Sequence, residues 1–140
     1  MALMMLIIFL FSAMEGEASA STSGIFLKAL KKLAEEVSHK GFTEEALANL
    51  HLIIRKCAHF TEYALLGASI VYALFYKFKE RYLLIITSEA IAFLYAVTDE
   101  FHQYFVPGRY GTFSDVLIDS AGAITGIFVW YCIFNKKVVS

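Results

Sequence analysis

The sequence predicts an all-α integral membrane protein, a single-domain bundle of about four transmembrane helices with an amphipathic helix outside the membrane. The first observation is composition, since 59% of the 140 residues are hydrophobic and only 18% are charged, against about 25% charged in soluble domains. The second is length, because three apolar stretches each hold roughly the 17–25 residues that a bilayer crossing needs. These stretches are Ala58–Tyr76, Tyr82–Thr98 and Val116–Phe134.

The first apolar run, Met1–Met14, is shorter than the other three. As a helix it covers only about 20 Å of a hydrocarbon core that is ~30 Å thick. We interpret it as a retained helix, either missing its beginning or crossing a thin or tilted path. The alternative is a secretory signal peptide within residues 1–20, with Ala18-Ser19-Ala20 as a small-residue cleavage site. No Lys or Arg precedes the run, which favours the retained helix.

Residues 15–54 are predicted to form an outer segment, and residues 55–134 the three remaining transmembrane helices. Apolar Phe26, Leu30, Leu33 and Val37 recur at helical spacing with charged residues between them, which is typical of a helix on the membrane surface or on the protein's own outer face. Gly41 then ends this helix. Thr43, followed by Glu44 and Glu45, is predicted to cap a second helix that leads into the next span.

Short-loop lysines and arginines predict the orientation in the membrane. They occur between the second and third spans and at the C-terminus, namely Lys77, Lys79, Arg81, Lys136 and Lys137. Both termini are therefore predicted to be cytoplasmic. The lysines of the outer segment run against this orientation. The predicted orientation, with both termini cytoplasmic, places the loop from Asp99 to Ser114 outside the cell.

Four polar blocks interrupt the apolar stretches, and this topology brings all of them to the outer face. They are Arg55-Lys56-Cys57-Ala58-His59-Phe60-Thr61-Glu62-Tyr63, Asp99-Glu100-Phe101-His102-Gln103, Pro107-Gly108-Arg109, and Asp115 with Asp119. Charge at the end of an apolar helix is costly and therefore needs partners or a function. The Pro-Gly pair predicts a turn that folds Arg109 back over the bundle, with Glu100, Asp115, Asp119 or a ligand anion as its partner.

Helical spacing predicts which of these side chains share a face. Arg55, His59 and Glu62 fall on one stripe of the second span, and Glu89, Ala96, Glu100 and Gln103 on one face of the third. Asp115 and Asp119 align with Gly122 and Gly126, a Gly-x-x-x-Gly pattern that permits close helix approach. We therefore expect this face of the fourth span to point into the bundle.

Three functions fit the polar blocks. The first is a pocket for a polar headgroup or glycan, with these ligand contacts: Arg55, His59, Glu62, Glu100, Gln103, Arg109, Asp115 and Asp119. The second is a catalytic site built on His59, Glu62, Asp99 and His102, since His-x-x-Glu and Asp-x-x-His each place a nitrogen and a carboxylate one turn apart. With Asp115 and Asp119 these residues could hold Mn, Mg or Zn, or they could act as metal-free acids and bases. The third is a purely structural polar network.

The implied partners are the lipid bilayer and a lipid-linked cell-wall precursor or surface polymer. No cofactor is firmly predicted, and a divalent metal is the candidate. Nucleic acid is excluded as a partner, because the formal net charge is −1 and no basic face alternates with aromatic residues.

Taken in order, the blocks resemble the VanZ-like family of small bacterial membrane proteins. The resemblance is carried by Arg55-Lys56-x-x-His59-Phe60-x-Glu62-Tyr63-x-Leu65-Leu66-Gly67, Asp99-Glu100-x-His102-Gln103, Pro107-Gly108-Arg109 and Asp115-x-x-x-Asp119-x-x-Gly122. It implies a multi-pass protein of the bacterial plasma membrane with a role in the cell envelope. The family's namesake is associated with lowered susceptibility to teicoplanin, a glycopeptide that acts outside the cell on peptidoglycan precursors. The motif positions are the functional positions that the resemblance implies, with no catalytic roles attached.

Overall fold

The computed structural model of the protein describes residues 1–13, 44–109 and 111–134, together with Lys32. These residues form four α-helices and no strand: α1 (Ala2–Ser12), α2 (Glu44–Leu74), α3 (Arg81–Gln103) and α4 (Phe113–Phe134). The predicted all-helical fold is confirmed for this part of the chain. The surface helix predicted around Phe26–Val37, with Gly41 and Thr43, lies outside the described residues.

Helix α2 joins the end of the predicted outer segment to the predicted second span without a break. It has 31 residues, or about 46 Å at the usual rise per residue, which is longer than a bilayer core is thick. Its N-terminal part can therefore stand outside the hydrocarbon. Arg55 and Lys56 are the last Lys or Arg residues of α2, and the rest of the helix to Leu74 carries neither.

Two helices, α3 and α4, are long and apolar enough to cross a membrane. Large hydrophobic side chains on them remain exposed, for example Leu94 (63%) and Phe128 (66%). Contiguous exposed apolar surface of this kind is rare on soluble monomers and is expected where lipid covers the protein. Helix α1 is apolar but has only 11 residues, so it is as short as the sequence indicated.

The bundle is held most closely between α2 and α4, which share the most extensive helix–helix contact. Three glycines make this possible, because a Cβ atom on any of them would collide with a backbone carbonyl of the other helix. Gly122 faces the carbonyl of Phe60, Gly126 faces that of Ala64, and Gly67 faces that of Ala123. The prediction that the Gly122/Gly126 face points into the bundle is confirmed.

Helices α1 and α3 complete the core around this pair. Ile8 of α1 is buried in the same cluster as Tyr63, Leu66, Ala92 and Ala123. The hydroxyl of Tyr95 on α3 donates a 2.6 Å hydrogen bond to the carbonyl of Met5, which satisfies a backbone acceptor in the middle of α1. The first helix is therefore fastened to the bundle by both apolar packing and a hydrogen bond.

The buried stripe of α3 changes from apolar to polar along its length. Most of its members recur every three or four residues, which is one face of an α-helix, and only Asp99 and Glu100 are neighbours in the sequence. They are Leu84, Ser88, Ala92, Ala96, Asp99, Glu100 and Gln103. Glu89, which helical spacing placed with Ala96, Glu100 and Gln103, is half-buried and lies beside this stripe.

The glycine contacts predict a specific sensitivity to added methyl groups. Gly126→Ala should lower the free energy of unfolding by about 1–3 kcal/mol, because the new Cβ meets backbone that cannot yield without moving a helix. The measurement is thermal or denaturant unfolding of the purified protein in detergent. Ala121→Leu adds more volume one turn away on the exposed face of α4 and should change stability by less than about 0.5 kcal/mol. Equal effects of the two substitutions would contradict the glycine packing.

Candidate functional site

The polar side chains of four segments meet at one end of the bundle. They come from the first half of α2, the last turn of α3, the α3–α4 connection and the first two turns of α4. Within this polar end cluster the side chains of Asp99, Glu100, Gln103, Arg109 and Asp119 are buried. Buried polar groups are expected to be hydrogen-bonded, so each buried nitrogen and oxygen of the cluster should have a partner.

Gln103 joins three of these segments. Its side chain is fully buried, and its Oε1 accepts hydrogen bonds from Arg55 Nη2 at 3.1 Å and Arg109 Nη1 at 3.4 Å. Its Nε2 donates to Asp99 Oδ2 at 3.1 Å. The amide thus uses donor and acceptor together, and its oxygen is shared by two guanidinium groups whose charges repel each other.

Arg109 folds back over the bundle as its Pro-Gly turn predicts. Gly108 has φ 74° and the N–H of Arg109 donates to the carbonyl of Val106 at 3.1 Å, which is typical of a type II turn with Pro107 and Gly108 at its centre. The guanidinium is buried, and its Nη2 donates to the carbonyl of Phe11 at 2.8 Å. Burial, with Arg55 nearby, lowers the pKa of Arg109, but a guanidinium remains charged in proteins.

These two partners of Arg109 differ from the carboxylates that the sequence suggested. Gln103 and the end of α1 are neutral acceptors, and the carbonyl of Phe11 is one of the terminal acceptors that a helix leaves without an internal partner. Arg109 therefore caps α1 and joins it to α3.

The buried carboxylates are only partly satisfied by the described residues. Asp99 receives its hydrogen bond on Oδ2, and Glu100 receives one on Oε2 from the backbone N–H of Thr112 at 2.9 Å. Asp99 Oδ1, Glu100 Oε1 and both oxygens of Asp119 have no partner there within hydrogen-bond geometry, although the buried hydroxyl of Ser12 lies close enough to Asp99 to interact with its carboxyl group. His59 Nδ1 lies 3.7 Å from Asp119 Oδ1, which is too long for a hydrogen bond.

Three of these residues form a group with the spacing of metal ligands. His59, Asp99 and Glu100 each offer one ligand atom, and these atoms lie within 4.8 Å of one another. His59 and Asp99 were candidate ligands from the sequence, whereas Glu100 was considered only as a ligand contact. The other candidates, Glu62, His102, Asp115 and Asp119, fall outside this group.

Glu62 and His102 lie at the edge of the cluster. Glu62 is half-buried on α2 and interacts electrostatically with Asp99 and Arg109. The ring of His102 packs against Phe9 of α1, with centroids 4.8 Å apart. Its role in the described structure is contact between α1 and α3.

A cavity of about 240 Å³ opens beside the cluster, between α2 and the start of α4. It is lined by Leu52, Arg55, Lys56, His59, Thr112, Ser114, Asp115, Ile118 and Asp119. Lys56 Nζ and Asp115 Oδ1 form a 2.7 Å ion pair in its wall, with the lysine side chain 45% exposed. Four predicted ligand contacts line this cavity, namely Arg55, His59, Asp115 and Asp119, while Glu62, Glu100, Gln103 and Arg109 do not.

Thr112 and Ser114 are cavity residues that sequence reasoning missed. Their hydroxyls lie 2.8 Å apart, and Thr112 Oγ1 accepts a hydrogen bond from the N–H of Asp115 at 3.3 Å. The signal in the sequence was Thr112 three residues before an acid at a helix start, the pattern of an N-terminal cap.

A scan against protein-family models matches residues 1–135 to the VanZ/LLP1 family. The chain belongs to this family. The match covers all four described helices, so the bundle and its polar end cluster lie within the VanZ/LLP1 unit. No curated protein and no solved structure matches the chain.

A second, larger groove in this VanZ/LLP1 bundle has a different character. It has a volume of about 590 Å³ and is lined mainly by apolar residues of α3 and α4, such as Ile85, Phe93 and Phe128, with Glu89 among them. Glu89 Oε2 is buried and finds no hydrogen-bond partner among the described residues. The groove shares no lining residue with the polar cavity.

The two roles of Arg109 predict that lysine cannot replace it. Arg109→Lys should lower the free energy of unfolding by about 1–3 kcal/mol, because one ammonium group cannot reproduce the forked contacts to Phe11 and Gln103. The measurement is thermal unfolding in detergent. The matched control is Arg81→Lys, whose guanidinium lies over the Phe75 ring at 4.5 Å and whose replacement should cost about 1 kcal/mol or less. A smaller loss for Arg109→Lys than for the control would contradict the capping role.

Proposed function

We propose that this VanZ/LLP1 protein engages the polar head of a lipid-linked or cell-wall component in its polar cavity and thereby lowers susceptibility to teicoplanin. The observation that carries the proposal is the cavity itself, which places the cations of Arg55 and Lys56 beside buried polar side chains at one end of an apolar bundle. An anionic headgroup from the membrane surface could replace Asp115 as the partner of Lys56 and accept charge-assisted hydrogen bonds from both cations. The link to teicoplanin rests on the association of the family's namesake.

The size of the cavity limits what it can hold. At about 240 Å³ it is smaller than the roughly 300–1,000 Å³ of drug-sized ligand sites. A glycopeptide antibiotic cannot enter it, whereas a phosphate or one end of a headgroup can. The proposed protection therefore acts through an envelope component and not through capture of the antibiotic.

The proposal places the cavity at the outer face of a bacterial plasma membrane. Lys77 and Lys79 lie between α2 and α3, and Arg81 begins α3, at the opposite end of the bundle from the polar end cluster. Basic residues in short connections favour the cytoplasmic side. A multi-pass chain with cytoplasmic termini would then present Thr112, Ser114 and the cavity to the exterior.

The cavity predicts that Lys56 matters for function more than for folding. Lys56→Gln should lower the teicoplanin concentration that expressing cells tolerate towards that of cells lacking the protein, because one charge-assisted contact to an anion contributes about 1.5–3 kcal/mol. The measurement is the inhibitory concentration together with the protein level in the membrane. Lys77→Gln, an equal change of charge at the other end, should leave protection intact. Protection that survives Lys56→Gln at unchanged protein level would refute the cavity as the functional site.

A second candidate function is a metal-dependent membrane enzyme that modifies a lipid headgroup or surface polymer. The observation favouring it is the grouping of His59, Asp99 and Glu100 beside the cavity. A metal there would supply a Lewis acid and an activated water, and His59 would connect the metal to the cavity, since it belongs to both.

Lipid profiling separates the two candidates. An enzyme should change the abundance of at least one lipid or polymer species, by several-fold, in cells expressing the protein, and His59→Gln should abolish the change. A binding protein should leave the profile unaltered while protection persists. If substitutions in the cavity reduce only the amount of protein, the cluster serves as a structural network within an envelope scaffold.

A further inference from the structure

The polar end cluster holds more acidic than basic side chains. Its acids are Glu62, Asp99, Glu100, Asp115 and Asp119, and its bases are Arg55, Lys56 and Arg109. Asp99, Glu100 and Asp119 are also buried, so water cannot offset their charge. Placing an unpaired carboxylate in a low-dielectric site is costly. By formal charge the described residues therefore leave an excess of acids, which is neutralised either by protonation of buried carboxyls or by a bound cation.

Asp99 and Glu100 share a pattern of hydrogen bonding that is characteristic of metal-ligating carboxylates. One oxygen of each is held by a protein donor, the amide of Gln103 for Asp99 and the backbone N–H of Thr112 for Glu100. The other oxygen of each is buried without a partner in hydrogen-bond geometry among the described residues, with the Ser12 hydroxyl close to Asp99. Metal ligands are oriented in this way by outer hydrogen bonds, which fix the side chain and leave one donor atom for the ion.

His59 completes the group with a nitrogen ligand. Its ligand atom and those of the two carboxylates lie within 4.8 Å of one another, so all three lie within about 2.8 Å of a common point, where bonds of roughly 2.0–2.2 Å are needed. Movements of less than about 1 Å, which side-chain rotation can supply, would close the remaining distance. Asp119 Oδ1 lies 3.7 Å from His59 Nδ1; with the ion on Nε2, a movement of about 0.5 Å would let the carboxylate accept a hydrogen bond from Nδ1.

We propose that His59, Asp99 and Glu100 bind one divalent first-row transition-metal ion, Zn²⁺ or Mn²⁺, in the polar end cluster. One imidazole with two carboxylates suits these ions better than Ca²⁺ or Mg²⁺, which prefer oxygen alone. Gln103, Thr112 and Asp119 act as positioning groups. Three protein ligands leave a coordination position open towards the cavity that His59 also lines. The inference does not depend on the proposed binding function, since the ion could hold a headgroup or only stabilise the bundle.

The test is metal binding by the purified full chain, stripped of metal and freed of any affinity tag. Titration with ZnCl₂ or MnCl₂, followed by elemental analysis after desalting, should give one ion per chain. The substitutions Asp99→Asn, Glu100→Gln and His59→Gln should each weaken binding by at least tenfold. The two amides keep an acceptor for Gln103 and Thr112, and they relieve repulsion between buried carboxylates. The metal-free variants should therefore unfold at the same temperature as the wild type or higher.

Matched controls come from the same cluster. His102→Gln removes a histidine that contacts Phe9, and Asp115→Asn removes a carboxylate paired with Lys56; both should bind the ion with affinity within about threefold of the wild type. Substoichiometric binding by the wild type, or equal affinity in His59→Gln and His102→Gln, would overturn the site. Lys56→Gln should bind metal normally even where it abolishes teicoplanin protection. Failure of the metal site is thus distinguishable from failure of the proposed function.

Discussion

The backbone contact between α2 and α4 decides where every polar group at the end of the bundle can lie. Gly122 and Gly126 bring α4 against the carbonyls of Phe60 and Ala64, too close for any side chain to stand between the helices. With the two axes fixed at that distance, His59 and Asp119 come within 3.7 Å of each other. The glycines therefore determine the geometry of the site although they carry no functional group. A larger residue in their place would push the helices apart and separate His59 of α2 from Asp119 of α4.

The second consequence of this tight bundle is the burial of charge. Asp119 is fully buried and Asp99 and Glu100 nearly so, while the described donors satisfy only one oxygen of each of the latter two. A structural network would be expected to pair its atoms, because a buried unpaired polar atom costs about 1–3 kcal/mol. Arg55, Gln103 and Arg109 do form such a paired network. The cluster thus has two parts. The hydrogen-bonded residues Arg55, Gln103 and Arg109 hold the bundle together, whereas the carboxyl groups of Asp99, Glu100 and Asp119 keep oxygens that an ion or a headgroup could use.

Much of this arrangement could be predicted from the sequence because helical spacing is local. The inward face of α4 follows from residues three or four apart, and the turn that returns Arg109 follows from one Pro-Gly pair. The convergence of the polar blocks follows from the order and length of the apolar stretches between them. The family resemblance, carried by the same blocks, is confirmed by the match over residues 1–135. The cytoplasmic termini, the ligand and the link to teicoplanin remain predictions.

The partners inside the cluster could not be predicted, because they depend on helices that are distant in the sequence. Arg109 donates to a backbone carbonyl of α1, which has no side-chain signal. Asp99 and Glu100 are adjacent, so helical spacing predicts that they point in different directions and that only one of them faces the bundle. Both are buried, because several segments enclose the end of α3. The spacing predicted that Glu62 would share a metal with His59, and His102 with Asp99, but the orientation of α2 and α3 in the bundle leaves Glu62 and His102 outside the metal-ligand group.

The most direct test of the account is the side of the membrane on which the polar end cluster opens. A single cysteine at Ser114, in a chain in which Cys57 and Cys132 are replaced by alanine, can be treated with a membrane-impermeant maleimide on intact cells. The account predicts that Ser114→Cys is labelled from outside, and that Lys79→Cys, at the other end of the bundle, is labelled only after the membrane is permeabilised. Labelling of Lys79→Cys in intact cells, with Ser114→Cys protected, would contradict it.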